Sequence, residues 1–334
     1  MKKPNVAVVG CGYWGKNLIR NFNDLSTANL YACCDEDTKK LDHFKTLYPY
    51  IKTEQKLETI LKDEKVDAVV IATPVASHYP LAMKALKAGK HTFVEKPLTD
   101  NSKKAQKLID IANEKDLTLM VDHTFEYMPA INKMEEIARS GELGDIRYIH
   151  ANWLNLGLLQ PDVNVTWDLA THVISIMNKI FDKEPQSVLA DGAAYVRDEI
   201  EEVANISVKY ENNSRGYLTI SWLEPCKVRR MTVVGSKKMM VFDLLNNAEQ
   251  VKIYDTGVDL IKEGEKARAS YRAGEIFSPY IESSEPLRNS CAHFIECIQT
   301  GETPITNGEV GLGVVKILEG AQKSLDRGGK EVKL

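Results

Sequence analysis

A glycine-rich turn follows the first apolar run of the chain and limits the folds open to its first third. Residues 6–9 read as a buried strand, and Gly10, Gly12 and Gly15 follow in the spacing G-x-G-x-x-G before a helical segment. Such a turn places backbone amides at a helix N-terminus, where they bind a pyrophosphate. Asp35, about 20 residues further on, can accept hydrogen bonds from ribose hydroxyls and repel a 2′-phosphate. The pattern predicts a dinucleotide site that prefers NAD to NADP.

Short apolar runs alternate with helical segments through residue 124. The runs lie at residues 30–34, 67–73, 91–95 and 117–121. Continuous apolar strands separated by helices predict an α/β fold with a doubly wound parallel sheet covered on both faces. We therefore assign residues 1–124 to an NAD-binding domain of the Rossmann type.

The pattern changes after residue 144 to long strands with alternating polarity. They lie at residues 147–153, 204–210, 214–222 and 228–234, with a hairpin connection near residues 212–216. Two helices are expected near residues 285–300 and 308–326, and residues 257–285, rich in Glu, Lys and Ser, are expected to be flexible. Residues 125–334 are thus predicted to form an α+β domain with a large, mostly antiparallel sheet.

Two further motifs contain side chains that can take part in proton transfer. Glu95-Lys96-Pro97 ends a predicted strand, and Asp168 and His172 lie four positions apart at the start of an apolar helical segment. Residues at this spacing share one face of a helix. A histidine can take the proton of a reacting hydroxyl group, and an adjacent carboxylate can fix its tautomer.

With the glycine turn, these motifs occur in the order found in the glucose-fructose oxidoreductase/inositol dehydrogenase/MocA family, which the chain resembles over nearly its whole length. The resemblance implies NAD as the cofactor, Lys96 near the nicotinamide and the substrate hydroxyl, and a cis peptide bond before Pro97. Either Lys96 or His172 could be the proton acceptor. We favour His172, with Lys96 polarising the oxygen and relaying the proton.

The candidate binding residues follow from these motifs and strand ends. For the cofactor they are Gly10, Gly12, Tyr13, Trp14, Gly15, Asp35, Thr73, His78, Glu95 and Lys96. For the substrate they are His123, Asn155, Gln160 and Asn164, the last three in a polar stretch similar to one that lies beside the sugar in nucleotide-sugar 3-dehydrogenases. Arg229, Arg230, Tyr271 and Arg272 are further candidates for contact with a diphosphate.

The resemblance implies NAD-dependent oxidation of a sugar secondary alcohol. The expected substrate is the 3-hydroxyl of a UDP-N-acetylhexosamine or its uronate, giving a 3-keto nucleotide sugar for surface polysaccharide or lipid A biosynthesis. Alternatives within the family are an inositol or free-sugar dehydrogenase and a ketosugar reductase. A non-catalytic regulator that senses NAD or a sugar is the alternative of another class.

The composition and charge of the chain limit the classes of partner that it is expected to bind. The chain has 43 Lys and Arg against 47 Asp and Glu, a net charge of −4, and no polybasic stretch, so neither nucleic acid nor a membrane surface is expected as a partner. Six cysteines in 334 residues do not form a disulfide framework, and no metal site is predicted. The absence of a signal-like or membrane-spanning apolar run favours a cytoplasmic location. The resemblance implies that residues 125–334 bind the substrate and mediate oligomerisation. We therefore expect a homodimer or homotetramer assembled through the large sheets.

Overall fold

The computed structural model describes residues 3–160, 163–263 and 266–334. The chain divides into two compact units. The first comprises Met1–Met128 and Ser284–Lys316, and the second comprises Pro129–Ser283 and Ile317–Leu334.

The first unit is built on a six-stranded parallel sheet. Its strands are β1 (Asn5–Val9), β2 (Asn29–Cys34), β3 (Lys52–Glu54), β4 (Ala68–Ile71), β5 (His91–Glu95) and β6 (Leu119–Asp122), and its connecting helices are α1 (Gly15–Asp24), α2 (Thr38–Leu47), α3 (Leu57–Lys62), α4 (Val75–Lys87) and α5 (Ser102–Glu114). The strand order is β3-β2-β1-β4-β5-β6. The order reverses between β1 and β4, and ligands of such sheets bind at the carboxyl ends of the strands beside this reversal. The predicted doubly wound parallel sheet is confirmed.

The second unit is built on a nine-stranded sheet. Its strands are β7 (Ile146–Leu156), β8 (Pro185–Ala193), β9 (Val203–Tyr210), β10 (Arg215–Ser221), β11 (Leu223–Gly235), β12 (Met239–Asp243), β13 (Val251–Glu263), β14 (Lys266–Phe277) and β15 (Val332–Lys333), and it also contains helices α6 (Pro129–Arg139) and α7 (Thr171–Phe181). The order is β14-β13-β12-β11-β7-β10-β9-β8-β15, in which β7 and β10 are the parallel pair and the other neighbours are antiparallel. The predicted large, mostly antiparallel sheet is confirmed.

The connection between β9 and β10 is the tight turn that the sequence predicted. Asn212 and Asn213 both have positive φ angles, 56° and 60°. Asparagine tolerates this left-handed conformation better than most residues, because its short polar side chain can bond locally. The two strands therefore pair directly, from Arg215 opposite Lys209 to Ser221 opposite Val203.

Within the segment expected to be flexible, residues 257–263 and 266–277 lie in strands β13 and β14, and the flexibility itself stays a prediction. β13 and β14 form a long antiparallel ladder that continues to the pairing of Glu263 with Lys266. The backbone hydrogen bonds of a ladder do not depend on side-chain polarity, so a strand with two polar faces lacks the hydrophobic alternation that identifies strands in a sequence.

Helix α8 (Pro286–Thr300) belongs to the first unit, although the sequence assigned it to the second domain. Its Phe294 is fully buried and packs against Phe22 of α1 and Phe93 of β5, with ring centroids 6.4 and 5.3 Å apart. Helix α9 (Gly308–Leu325) follows, and the division between the units falls within it. The compact units thus differ from the proposed boundary at residue 124, because the core of the first unit is completed by a helix distant in sequence. The functional division at that boundary stays a prediction.

Among the residues that the structure describes, no helix has the length and apolar character needed to cross a membrane.

We predict that Phe294→Ala destabilises the first unit by about 3–5 kcal/mol, because it leaves a cavity among aromatic rings. Urea unfolding followed by circular dichroism measures the change. Glu296→Ala, on the exposed face of the same helix, is the matched control and is expected to change the free energy of unfolding by less than about 0.5 kcal/mol. Equal effects of the two substitutions would show that α8 does not complete this core.

Candidate functional site

The glycine turn of the first unit has the shape that a dinucleotide needs. Gly10 has a φ of 91°, and a Cβ atom there would lie 2.5 Å from the carbonyl oxygen of Ala72. A Cβ atom on Gly15 would lie 1.9 Å from the carbonyl oxygen of Gly10, so α1 can begin this close to β1 only with glycine. Around Gly12, by contrast, no described atom lies within 4 Å of the Cβ position. The turn is therefore closed at its two ends and open in the middle, where phosphate oxygens could approach the backbone.

Asp35 lies at the end of β2, directly beside this turn. Its Oδ2 accepts a hydrogen bond from the Cys11 amide at 2.7 Å, and its Oδ1 accepts one from the Asp37 amide at 2.9 Å. Lys40 Nζ lies 3.3 Å from Oδ1. Burial alone would raise the pKa of Asp35, but the two amides and the Lys40 ammonium outweigh it and lower the pKa. The carboxylate is thus held ionised, as required of a group that accepts hydrogen bonds from ribose hydroxyls.

Thr73 and His78 follow β4. The His78 ring is fully buried, with Nε2 2.8 Å from the carbonyl oxygen of Thr73 and Nδ1 2.8 Å from that of Pro97. Burial lowers the pKa of His78, and a neutral ring can donate only one of these hydrogen bonds. The His78 ring thus links the segments that follow β4 and β5. A direct contact of the ring with the cofactor would require one of these two ring nitrogens to give up its carbonyl partner. That contact stays a prediction.

The Glu95-Lys96-Pro97 motif ends β5, and its Lys96–Pro97 peptide bond is cis, as the resemblance implied. Asp122 and His123 occupy the equivalent position at the end of β6, and Glu95, Asp122 and His123 are all buried. Burial, together with the charge of Lys96, lowers the pKa of His123 to about 3, so the ring is neutral. Neither ring nitrogen has a hydrogen-bond partner among the described residues. A buried polar ring without partners is costly, and a bound ligand that supplied one would remove the cost.

In the second unit, Asp168 lies in a π-helical turn, Thr166–Ala170, that leads directly into α7 and His172. Such turns occur often at functional sites, and the apolar spacing of the sequence gives no sign of this one. Asp168 Oδ2 accepts a hydrogen bond from the indole Nε1 of the buried Trp222 at 3.1 Å. The carboxylate is thereby fixed in orientation.

Asn164, a predicted substrate contact, caps this turn. Its Oδ1 accepts a hydrogen bond from the Trp167 amide at 3.2 Å, and its Nδ2 donates to Glu201 at 2.7 Å and to Gln322 at 2.9 Å. Its amide is therefore engaged within the protein, and a substrate would have to displace one of these partners. The substrate role of Asn164 stays a prediction.

The other two predicted contacts of the polar stretch are tied to arginines. Asn155 Oδ1 accepts a hydrogen bond from Arg229, and the carbonyl oxygen of Gln160 accepts one from Arg197. Pro161 and Asp162 of the same stretch lie outside the described residues. The side chain of Gln160 is half-buried, and its contact with a substrate stays a prediction.

The sequence analysis did not identify Trp222 and Arg197. It considered Arg229 for contact with a diphosphate, but the structure gives that residue a different role. Arg197 lies 5.5 Å from the centre of the Trp222 ring. Arg229 is buried, donates to the carbonyl oxygens of Leu154 and Val228 at 2.8 Å each, and carries a pKa lowered by burial to about 10. Arg229 therefore links β11 to β7, and a diphosphate would have to compete with these hydrogen bonds. No local sequence pattern marks such long-range contacts.

Arg272 and Tyr271, the other candidates for contact with a diphosphate, lie on β14. Arg272 forms ion pairs with Asp255 at 3.1 Å and with Asp259 at 2.8 Å, both on β13. Tyr271 is exposed on β14. The structure offers no reason to add these two residues to a substrate site.

Comparison with known proteins gives matches in both units. A model described as "oxidoreductase family, NAD-binding Rossmann fold" matches residues 4–123, and one described as "GFO/IDH/MocA C-terminal domain" matches residues 131–241.

Two curated relatives illustrate the range of activities. The chain is 31% identical over 200 residues to a UDP-N-acetylglucosamine 3-dehydrogenase of Acidithiobacillus ferrooxidans, an alignment that spans 59% of this chain and 61% of that relative. It is 24% identical to a myo-inositol 2-dehydrogenase of Thermotoga maritima over 332 residues, 96% of either chain. A solved structure of the Acidithiobacillus ferrooxidans enzyme superposes with a TM-score of 0.83 at 23% identity and covers 98% of this chain and 99% of that one. At this identity the superposition supports the fold alone.

We predict that Gly12→Ala lowers the affinity for NAD by at least about tenfold while leaving the fold intact. The added methyl group meets no described atom, but it projects into the space that the phosphates need. Isothermal titration with NAD, with the melting temperature measured alongside, checks both parts. Unchanged NAD affinity in Gly12→Ala would contradict the assignment of this turn to the pyrophosphate.

Proposed function

The chain belongs to the glucose-fructose oxidoreductase/inositol dehydrogenase/MocA family, and on that premise we propose that it oxidises a secondary alcohol of a sugar. The resemblance seen in the motifs is confirmed by the family match, as are the oxidoreductase class and NAD as the cofactor. The proposal about the sugar alcohol is carried by the hydrogen bond between Trp222 and Asp168, because it orients a carboxylate on the turn that leads into the helix of His172.

Each side chain has a separate role in the proposed reaction. NAD, when bound, supplies the hydride acceptor. His172 removes the proton of the substrate hydroxyl group, and Asp168 fixes the imidazole tautomer and stabilises the imidazolium that forms. Lys96 polarises the hydroxyl oxygen and relays the proton. Trp222 holds Asp168 in place through the indole N–H.

The proposed substrate is a UDP-N-acetylhexosamine or its uronate, oxidised at the 3-hydroxyl. Support comes from the 31% identity to an enzyme named for that reaction and from the polar stretch at residues 155–165, two residues of which are held by arginines. The product would be a 3-keto nucleotide sugar for surface polysaccharide or lipid A biosynthesis, made in the cytoplasm.

Inositol oxidation is the second candidate, because the match to a myo-inositol 2-dehydrogenase extends over 96% of the chain. A free-sugar dehydrogenase and a ketosugar reductase belong to the same group of alternatives. A regulator without turnover is less well supported, since binding alone requires no oriented carboxylate on the turn that leads into the helix of a histidine.

We also propose a homodimer or homotetramer assembled through the large sheet. Tyr148 of β7 and Tyr217 of β10 are exposed on adjacent strands, with ring centroids 6.2 Å apart, and Leu189 of β8 is exposed as well. Exposed apolar groups on one sheet are typical of a surface that a partner subunit covers.

The substrate class is tested by incubating the protein with NAD and, separately, UDP-N-acetylglucosamine, its uronate, UDP-N-acetylgalactosamine, myo-inositol and glucose. We expect NADH absorbance only with a UDP-sugar. Because the oxidation can be unfavourable, parallel reactions contain an aminotransferase to consume the ketone, or an α-keto acid to reoxidise bound NADH. Turnover with myo-inositol or glucose alone would replace the nucleotide-sugar proposal with the second candidate. No turnover with any compound, despite NAD binding, would favour the regulator.

We predict that Lys96→Met and His172→Asn each lower kcat by about 10²–10⁴-fold, the range for loss of a proton-transfer group. Neither change is expected to alter NAD affinity by more than a few fold. The matched control for the lysine is Lys87→Met, at an exposed position of α4. Loss of NAD binding together with turnover would instead indicate that the two residues maintain the fold.

A further inference from the structure

Arg197 lies where the polar stretch at residues 155–160 passes the ring of Trp222. Its guanidinium carbon is 5.5 Å from the centre of that ring, and its Nη1 donates a hydrogen bond to the backbone carbonyl oxygen of Gln160. The stretch runs close to the ring, because a Cβ atom on Gly157 would lie 2.7 Å from Trp222 Cδ1. The guanidinium group thus contacts both the predicted substrate stretch and the indole that orients the proposed catalytic carboxylate.

Glu202 holds Arg197 in this position from two directions. Glu202 is 0% exposed, and its carboxylate accepts the backbone amides of three consecutive residues, Tyr195 to Arg197, at 2.7, 3.2 and 3.1 Å. Its Oε1 also lies 3.4 Å from Arg197 Nε. Because both the backbone and the side chain of Arg197 are bound to one buried carboxylate, the guanidinium group is held in a defined place before any ligand arrives.

The positive charge of Arg197 is only weakly compensated by this contact. The distance of 3.4 Å from Nε to Glu202 Oε1 is long beside the roughly 2.7–2.9 Å of strong charge-assisted bonds, and the same oxygen also accepts the Arg197 amide. The side chain of Arg197 is 23% exposed, so the group lies near the surface of the unit.

One nitrogen of the guanidinium group is left without a hydrogen bond. Nη2 is buried and has no partner among the described residues, although Nε and Nη1 are engaged. Most buried polar groups are hydrogen-bonded, and a buried donor of a charged group that lacks a partner is costly. An acceptor supplied by a ligand would remove this cost.

The chemistry of the missing acceptor follows from the shape of the group. The Gln160 carbonyl oxygen engages Nη1 but leaves Nη2 empty. A carboxylate or phosphate presents two oxygens that match the two terminal nitrogens of arginine, and such paired bonds are stronger than a bond to a neutral carbonyl group. An oxyanion that took the place of the Gln160 carbonyl oxygen would therefore satisfy both nitrogens, and the exchange would open the covered Nη2.

We propose that Arg197 is a specificity residue that pairs with an oxyanion of the substrate in place of the Gln160 carbonyl oxygen. A nucleotide sugar has two groups of this chemistry, the carboxylate of a uronate and the diphosphate. The carboxylate is favoured, because Arg197 lies over the indole ring whose N–H binds Asp168, and a uronate carries its carboxylate on the ring that is oxidised. The identity of the sugar rests on the proposed function, whereas the unpaired nitrogen does not.

Binding measured without turnover tests the pairing. Isothermal titration of the full chain in the presence of NADH compares the uronate of UDP-N-acetylglucosamine with UDP-N-acetylglucosamine itself. We expect Arg197→Gln to weaken binding of the uronate by about ten- to hundredfold, as for lost hydrogen bonds to a charged group, and binding of the neutral sugar by less than about threefold. Unchanged binding of both ligands would overturn the proposal.

Titration with UDP distinguishes the two sources of the oxyanion. If Arg197→Gln weakens binding of UDP and of both UDP-sugars to the same extent, the oxyanion is the diphosphate, which supports the pairing and overturns its selectivity for the uronate. If UDP binding is unchanged while uronate binding falls, the carboxylate is the partner of Arg197.

Free glucuronate and inorganic pyrophosphate make the test independent of the nucleotide-sugar assignment. If the wild type binds neither UDP-sugar, the proposed substrate fails, and Arg197 is then judged on these two anions. Binding of either anion that is lost in Arg197→Gln would support the oxyanion site. Absence of binding by both would overturn it.

Arg197→Lys separates the charge from the paired geometry. Lysine retains the charge but not the two parallel donors, so we expect it to recover only part of the affinity for the uronate. Full recovery would overturn the paired bonds. Arg147→Gln, at an exposed position at the start of β7, is the matched control and should leave every affinity unchanged. Circular dichroism of each variant establishes that it is folded.

Discussion

The close approach of α1 to the end of β1 is the constraint on which the cofactor site depends. It exists because neither Gly10 nor Gly15 has a side chain, and a methyl group on Gly15 would overlap the Gly10 carbonyl oxygen. With the helix this close, the Cys11 amide donates a hydrogen bond to the Asp35 carboxylate at the end of β2. The absence of these two side chains thus determines how the ends of β1 and β2 are connected.

A single residue, Trp222, has a comparable role in the second unit. Its indole N–H orients Asp168, its backbone carbonyl oxygen accepts the Gly157 amide at 2.9 Å, and its backbone amide donates to the backbone carbonyl oxygen of Glu202. Glu202 in turn accepts the amides of three consecutive residues, Tyr195 to Arg197. Burial would raise the pKa of Glu202, but these donors outweigh it and lower the pKa. The carboxylate of Asp168 is therefore supported by a chain of bonds that extends well beyond the helix of His172.

Buried charge is handled differently in the two units. Glu202 accepts several amide hydrogen bonds, which lower its pKa, whereas Glu95 and Asp122 are register partners on adjacent strands and burial raises the pKa of both. His123, next to Asp122 in the chain, carries no charge. The carboxyl edge of the parallel sheet therefore combines two carboxyl groups with raised pKa values, one neutral histidine and Lys96 in a largely buried region, where charges interact more strongly than they would in water.

The sequence by itself determined those features that depend on contacts between near neighbours. The spacing of Gly10, Gly12 and Gly15, the placement of Asp35 and the alternation of apolar strands with helices predicted the fold of the first unit and its cofactor, because each reflects a local steric or periodic requirement. The motif ending at Pro97 and the pair Asp168 and His172 identified the family.

Only the tertiary structure decided which distant residues complete these features. Asp168 and Trp222 are 54 positions apart, and Asp122 and Ser290 are 168 apart, so no spacing in the sequence could relate them. The same holds for α8, whose apolar face completes the core of the first unit, and for Asn164, whose amide caps a turn beside Gln322. The sheet register placed Glu95 opposite Asp122, because register is set by the packing of whole strands and not by the residues at their ends.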